Sequence, residues 1–153
     1  NDEGRGIAVS GGNVYVTGFE TRNDLGQGRN IFAFKLNSSG VREWFISGSA
    51  VGDDEGNGVA LDWGGNGYYA QTEFVSGQGK NAAIAKIDTN GLSLWTTFYN
   101  GASNGDDEAF AIARDGAGNL YLAGREFSSG QGDNILVQKY NNANPPLLTW
   151  TTT

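Results

Sequence analysis

The feature that most restricts this chain is that one pattern is written into it three times. The central unit opens with Asp53-Asp54-Glu55, runs through the apolar stretch Gly58-Val59-Ala60-Leu61, turns at Gly65-Asn66, and continues through Tyr68-Tyr69-Ala70 to Glu73. Gly77-Gln78-Gly79 follows, then Ala82-Ala83-Ile84-Ala85-Lys86, the turn Asp88-Thr89-Asn90-Gly91 and a last run centred on Trp95. The upstream copy reads Asp2-Glu3, Gly12-Asn13, Tyr15, Glu20, Gly26-Gln27-Gly28, Lys35, Gly40 and Trp44. The downstream copy reads Asp106-Asp107-Glu108, Gly118-Asn119, Tyr121, Glu126, Gly130-Gln131-Gly132, Lys139 and Trp150. Such a period marks a repeat architecture, in which each unit is one supersecondary module that buries its apolar faces against its neighbours.

Within each unit, four short runs rich in Ile, Val, Phe, Tyr and Trp are separated by turn residues, which predicts four strands. They are Gly6 to Val9, Val14 to Phe19, Asn30 to Leu36 and Val41 to Ser47 in the first unit. The second has Gly58 to Leu61, Tyr68 to Thr72, Asn81 to Ile87 and Leu92 to Tyr99, and the third Phe110 to Arg114, Leu120 to Arg125, Asn134 to Tyr140 and Leu147 to Thr153. The 25 glycines, without a collagen period, suit many tight turns, and Pro145-Pro146 falls in the last of them. Inner runs such as Ile31-Phe32-Ala33-Phe34 are apolar at consecutive positions, the mark of a strand covered on both faces. The expectation is therefore an all-β chain of β-propeller blades, three four-stranded antiparallel sheets with blade boundaries at 1–52, 53–105 and 106–153. Complete propellers have about four to eight blades, so these three are expected to form part of a larger ring.

Gly6-Ile7-Ala8-Val9, Gly12-Asn13-Val14-Tyr15-Val16-Thr17-Gly18, Phe34-Lys35-Leu36 and Gly40 with Trp44 resemble the bacterial β-propeller repeat called the SBBP repeat, in three copies spanning essentially the whole chain. The first half of each unit is also similar to an NHL repeat, and Asp88-Thr89-Asn90-Gly91 before Trp95 to the turn of quinoprotein-type propellers. The Asp-to-Gly spacing is one residue shorter than in the latter, and the sialidase Asp-box fails on spacing. The resemblance implies a propeller fold and an exported bacterial protein, at the cell surface, outside the cell or in the periplasm, and implies little about activity.

Composition removes several functions. A formal net charge of −7 disfavours nucleic acid and anionic lipid as partners, and no run approaches the length of a membrane span. Without His or Cys there is no Ser-His-Asp or Cys-His catalysis, no disulfide framework and no Cys-based zinc site. The start at Asn1, inside a repeat, and the short run after Trp150 predict a processed or truncated piece whose third blade is clipped. Open end faces of about 300 Å² each would then be exposed, and further blades or a second copy of the chain are expected to cover them.

Blade connectivity puts the inter-blade links and the loops between second and third strands at one end. Thirteen acids, among them Asp2, Asp24, Asp53 and Asp133, fall there against five bases, an acidic loop face. Three roles stand open for its repeated groups. The carboxylates and glutamines can bond to loop amides and lock neighbouring blades. Asp54, Glu55 and Glu73, with Asp107, Glu108 and Glu126, can supply oxygens to calcium. Glu20, Gln27, Glu73, Gln78, Glu126 and Gln131 can meet an external protein or glycan. Lys35, Lys86 and Lys139 are expected to pair with a turn carboxylate such as Asp88 or to lie along the neighbouring blade, no partner group recurring beside them in sequence. Trp44, Trp95 and Trp150 are expected between blades rather than as sugar platforms. Catalysis normally breaks repeat symmetry at the site of chemistry, and this sequence reads as symmetric. The leading expectation is a non-enzymatic scaffold or adhesion module. A polysaccharide-binding or polysaccharide-cleaving propeller and a self-assembling subunit of a ring or filament are the alternatives.

Overall fold

Short polar side chains close the turns and thereby set the strand ends. Asp88 Oδ1 accepts hydrogen bonds from the amides of Asn90 and Leu92, both at 2.8 Å, and Asn37 Oδ1 does the same for Ser39 and Val41 at 3.0 Å. Asn141 Oδ1 takes Ala143 and Leu147 in the third unit. The computed structural model describes residues 1–22, 26–48 and 51–153; Asp24 lies outside them.

The first sheet holds β1 (Asp2–Ser10), β2 (Asn13–Thr21), β3 (Arg29–Leu36) and β4 (Arg42–Ser47). The second holds β5 (Glu55–Leu61), β6 (Gly67–Val75), β7 (Gly79–Ile87) and β8 (Ser93–Tyr99), and the third β9 (Glu108–Arg114), β10 (Leu120–Ser128), β11 (Gly132–Tyr140) and β12 (Leu148–Thr152). Each is a four-stranded antiparallel sheet in simple sequential order, and no helix occurs among the described residues. These are propeller blades, and the first strand of each is innermost: β5 packs against β1 and against β9.

The inner strands reach further into the links than the sequence suggests. Asp2, Glu3, Glu55 and Glu108 are strand residues, although they read as loop acids. Close approach of the inner strands requires small residues at one level. A Cβ on Gly6 would stand 2.9 Å from Gly58 Cα, and one on Gly58 would stand 3.3 Å from Ala111 Cα.

Strand register gives every blade two faces, one toward the blade that precedes it and one toward the blade that follows. Tyr15, Thr17, Ala33 and Trp44 of blade 1 face blade 2, where Tyr69, Ile87 and Val59 meet Ala33, Trp44 and Ile46. Ala70, Ala82, Ile84 and Trp95 of blade 2 face Leu120, Leu122, Leu136 and Tyr140 of blade 3. The middle blade is thus covered on both sides, and β7 is buried at five consecutive positions from Asn81 to Ala85. At the ends one side is bare. Ile135, which takes the place of the fully buried Ala82, is 76% exposed, and Ile7 on the far side of blade 1 is 70% exposed.

Candidate functional site

The loop-face carboxylates reach amides and cations of neighbouring segments. Asp53 Oδ1 and Asp106 Oδ1 accept from the amides of Arg29 and Lys80, the first residues after their loops' glycines. Asp54 Oδ1 and Asp107 Oδ1 repeat the pattern one residue on, accepting from Phe74 (2.7 Å) and Phe127 (3.1 Å). Asp107 is fully buried and also accepts from Gly101. Burial pushes both Asp54 and Asp107 upward from the usual aspartate value, against the pull of those amide hydrogen bonds.

The following glutamate joins blade to blade. Glu108 of blade 3 takes Lys80 Nζ of blade 2 at 3.0 Å and Arg125 Nε of its own blade at 2.8 Å. Burial raises the Glu108 carboxyl, but the hydrogen bonds from Arg125 and Lys80 outweigh it and hold the group below the usual glutamate range. Glu55 of blade 2 pairs in the same way with Arg5 and Arg29 of blade 1. Position for position, Arg29 and Lys80 are equivalent, so one contact is used at both junctions.

The expected ligand-facing glutamines are also engaged. Gln27, Gln78 and Gln131 each accept through Oε1 from the side-chain amide of the asparagine three residues on, Asn30 (3.2 Å), Asn81 (2.6 Å) and Asn134 (3.2 Å). These pairs brace the loop ahead of each third strand. The lysines do have a recurring partner: Lys35, Lys86 and Lys139 lie directly across the strand pair from Tyr15, Tyr68 and Tyr121, with Nζ 5.7, 5.1 and 5.4 Å from the ring centres. Lys35 also pairs with Glu43 at 2.8 Å, in place of the expected Asp88. Trp44 donates its indole N–H to Thr89 O of the next blade at 3.0 Å, and Trp95 donates to Asn144 Oδ1. Trp150 holds the same place on blade 3 and is 45% exposed.

The three equivalent glutamates differ. Glu20 accepts from Arg22 and from Ser47 Oγ. Glu126 accepts from Tyr99 Oη of blade 2 at 2.9 Å. Glu73 has neither, and among the described residues its carboxyl has no hydrogen-bond or ion-pair partner. Burial, with the nearby Asp54 charge second, pushes it up to about 7. Asp54 and Glu73 are thus close, as expected, but Glu55 turns to blade 1. Among the described residues no three carboxylates are grouped so as to hold a metal ion.

The symmetry of the repeat is therefore broken beside Glu73, contrary to the sequence reading. Counting from the tryptophans, Gly48 occupies the place that Tyr99 fills at the next junction, and Gln71 stands where blades 1 and 3 have Gly18 and Gly124. A cleft of about 310 Å³ opens there, lined among others by Glu73, Gln71, Gly48, Ile31, Ile46 and Ile87.

No family model matches the chain, and no curated protein does. The fold has a solved relative. The crystal structure of a protein of unknown function from Bacteroides caccae is similar over the whole of this chain, with a TM-score of 0.55 and 14% identity. The chain spans 61% of that protein, and the likeness is one of fold.

Proposed function

We propose that the chain is a non-catalytic β-propeller scaffold and interaction module, which docks through its two bare blade faces onto blades of the same kind, from a second copy or from further blades. What carries this reading is that the end faces repeat the chemistry of the inner junctions. Ile135 and Trp150 stand where Ala82 and Trp95 are covered, and Ile7, Val9 and Phe45 are bare on the opposite end. Gly40, equivalent to Gly91, has open space where Gly91 lies under the Trp44 ring. The loop-face acids support the same reading, because their partners are loop amides and cations of the preceding blade. The resemblance to exported bacterial propeller repeats supports a place at the cell surface or in the periplasm. Light scattering across a concentration series tests the proposal: the expected result is mass rising above 16.2 kDa, and Ile135→Asp should suppress the rise. A 16.2 kDa species at every concentration would count against it.

A glycan-binding reading has one observation in its favour. Trp63 is 89% exposed on the face opposite the acidic loops, beside Asp62, Arg114 and Asp115 at a cleft of about 270 Å³. A glycan array probed with the wild type and Trp63→Ala separates this from the scaffold reading. Silence of the wild-type protein removes it.

A further inference from the structure

The cleft between blades 1 and 2 has a chemistry that the scaffold role does not use. Two side chains reach it without a protein partner. Glu73 and Gln71 lie two residues apart on β6, so both project toward blade 1, and neither side chain has a hydrogen bond among the described residues. Ile31 and Ile46 of blade 1, opposite them, and Ala85 and Ile87, beside them on β7, give aliphatic walls, and Ser93 and Thr96 place hydroxyls at the exposed mouth. No lysine or arginine lines the cleft, so its one ionisable lining group is a carboxylate with no internal counter-charge.

The next junction shows what would otherwise fill such a gap. Between blades 2 and 3 the Tyr99 ring enters from the outer strand, and its hydroxyl donates to Glu126. Gly48 removes that ring at the first junction, leaving a donor-shaped vacancy in front of Glu73. Its backbone does not demand glycine, because a Cβ there would meet nothing closer than Ile31 O at 3.7 Å. The missing side chain is therefore a difference in cleft chemistry and not a requirement of the turn.

We infer that this cleft is a binding site for a small primary alkylammonium compound, its ammonium on the Glu73 carboxylate and the Gln71 amide oxygen and its alkyl stem along Ile31, Ile46 and Ile87. The class follows from the groups present. A half-buried carboxylate without a counter-charge calls for a cation, and Gln71 and the hydroxyls offer further acceptors to an ammonium with three N–H donors. Aliphatic walls favour a stem over a bare ion, and the volume lies at the small end of ligand pockets. A carboxyl held at about 7 by burial is one that a bound ammonium would stabilise in its charged form. The site goes beyond the scaffold reading and does not depend on it, since both blades belong to one chain.

The test is titration of the full chain at pH 8 with n-pentylamine as the probe and 1-pentanol as its uncharged counterpart, followed by amide chemical shifts at Gly48, Gln71 and Gly91. The expected result is saturable binding of the amine. Glu73→Gln should weaken it at least tenfold, and Gly48→Tyr, which restores the ring seen at Tyr99, should abolish it while leaving the melting transition in place. Pentanol should not bind at this site. No saturable binding by the wild type, equal binding of amine and alcohol, or undiminished binding to either folded variant would overturn the proposal.

Discussion

Replacing Glu73 by Gln should stabilise the protein at pH 8 and leave it nearly unchanged at pH 4. The folded chain holds the Glu73 proton more tightly than the unfolded chain does, since burial and the Asp54 charge lift the carboxyl from 4.5 to about 7. Stability must then fall as pH rises from 4.5 to about 7 and level off above that. Each tenfold change in proton affinity corresponds to about 1.4 kcal/mol, so the penalty at pH 8 is at most about 3.5 kcal/mol. It is absent at pH 4. Gln keeps the shape and removes the charge. Urea unfolding at pH 8 should show the variant more stable by about 1–3 kcal/mol, or roughly 2–4 °C in Tm per kcal/mol, with near equality at pH 4. Carboxyls shifted downward, such as Glu108 and Asp53, act in the opposite sense but are common to both proteins and cancel in the difference. A difference that is the same at both pH values, or a variant less stable at pH 8, would refute the reasoning.

Two further pairs of substitutions probe the junctions. Asp107→Ala strands the amides of Gly101 and Phe127 around a buried position and should cost about 2–4 kcal/mol in urea unfolding, whereas Asp106→Ala, on the exposed amide of Lys80, should cost under about 1 kcal/mol. Gly91→Ala meets both a positive φ of 87° and the Trp44 ring 2.9 Å from the new Cβ, so it should destabilise by roughly 2–4 kcal/mol and shift the tryptophan emission. Gly40→Ala carries the same backbone cost, with φ at 77°, but meets no neighbour, and should lose only about 1–2 kcal/mol.

The blades could be read from the sequence because their turn chemistry recurs at fixed offsets: Asp88, Asn37 and Asn141 each close the same kind of turn by bonding forward to backbone amides. The inner strand ends were harder to read. Glu55 and Glu108 look like loop acids until their cations, far away in sequence on the third strand of the preceding blade, are brought to them. The lysine–tyrosine pairs were hidden for a different reason, since strand register, not sequence distance, sets Lys86 across from Tyr68. The departure beside Glu73 does have a sequence signal. Aligning the units on Trp44 and Trp95 puts Gly48 against Tyr99, and aligning on the tyrosines puts Gln71 against two glycines. What no alignment conveys is that both exchanges lie at one gap, next to the same carboxylate.

Loop-face acids bind one blade to the next, and a double-mutant cycle on Lys80 and Glu108 measures that bond most directly. Their atoms are 3.0 Å apart across the junction, with both side chains largely shielded from water. Lys80→Ala, Glu108→Ala and the double variant, compared by urea unfolding, should give a favourable coupling of about 1–3 kcal/mol that persists in high salt. Additivity within about 0.3 kcal/mol would contradict the account, because the carboxylate would then be doing nothing to hold the two sheets together.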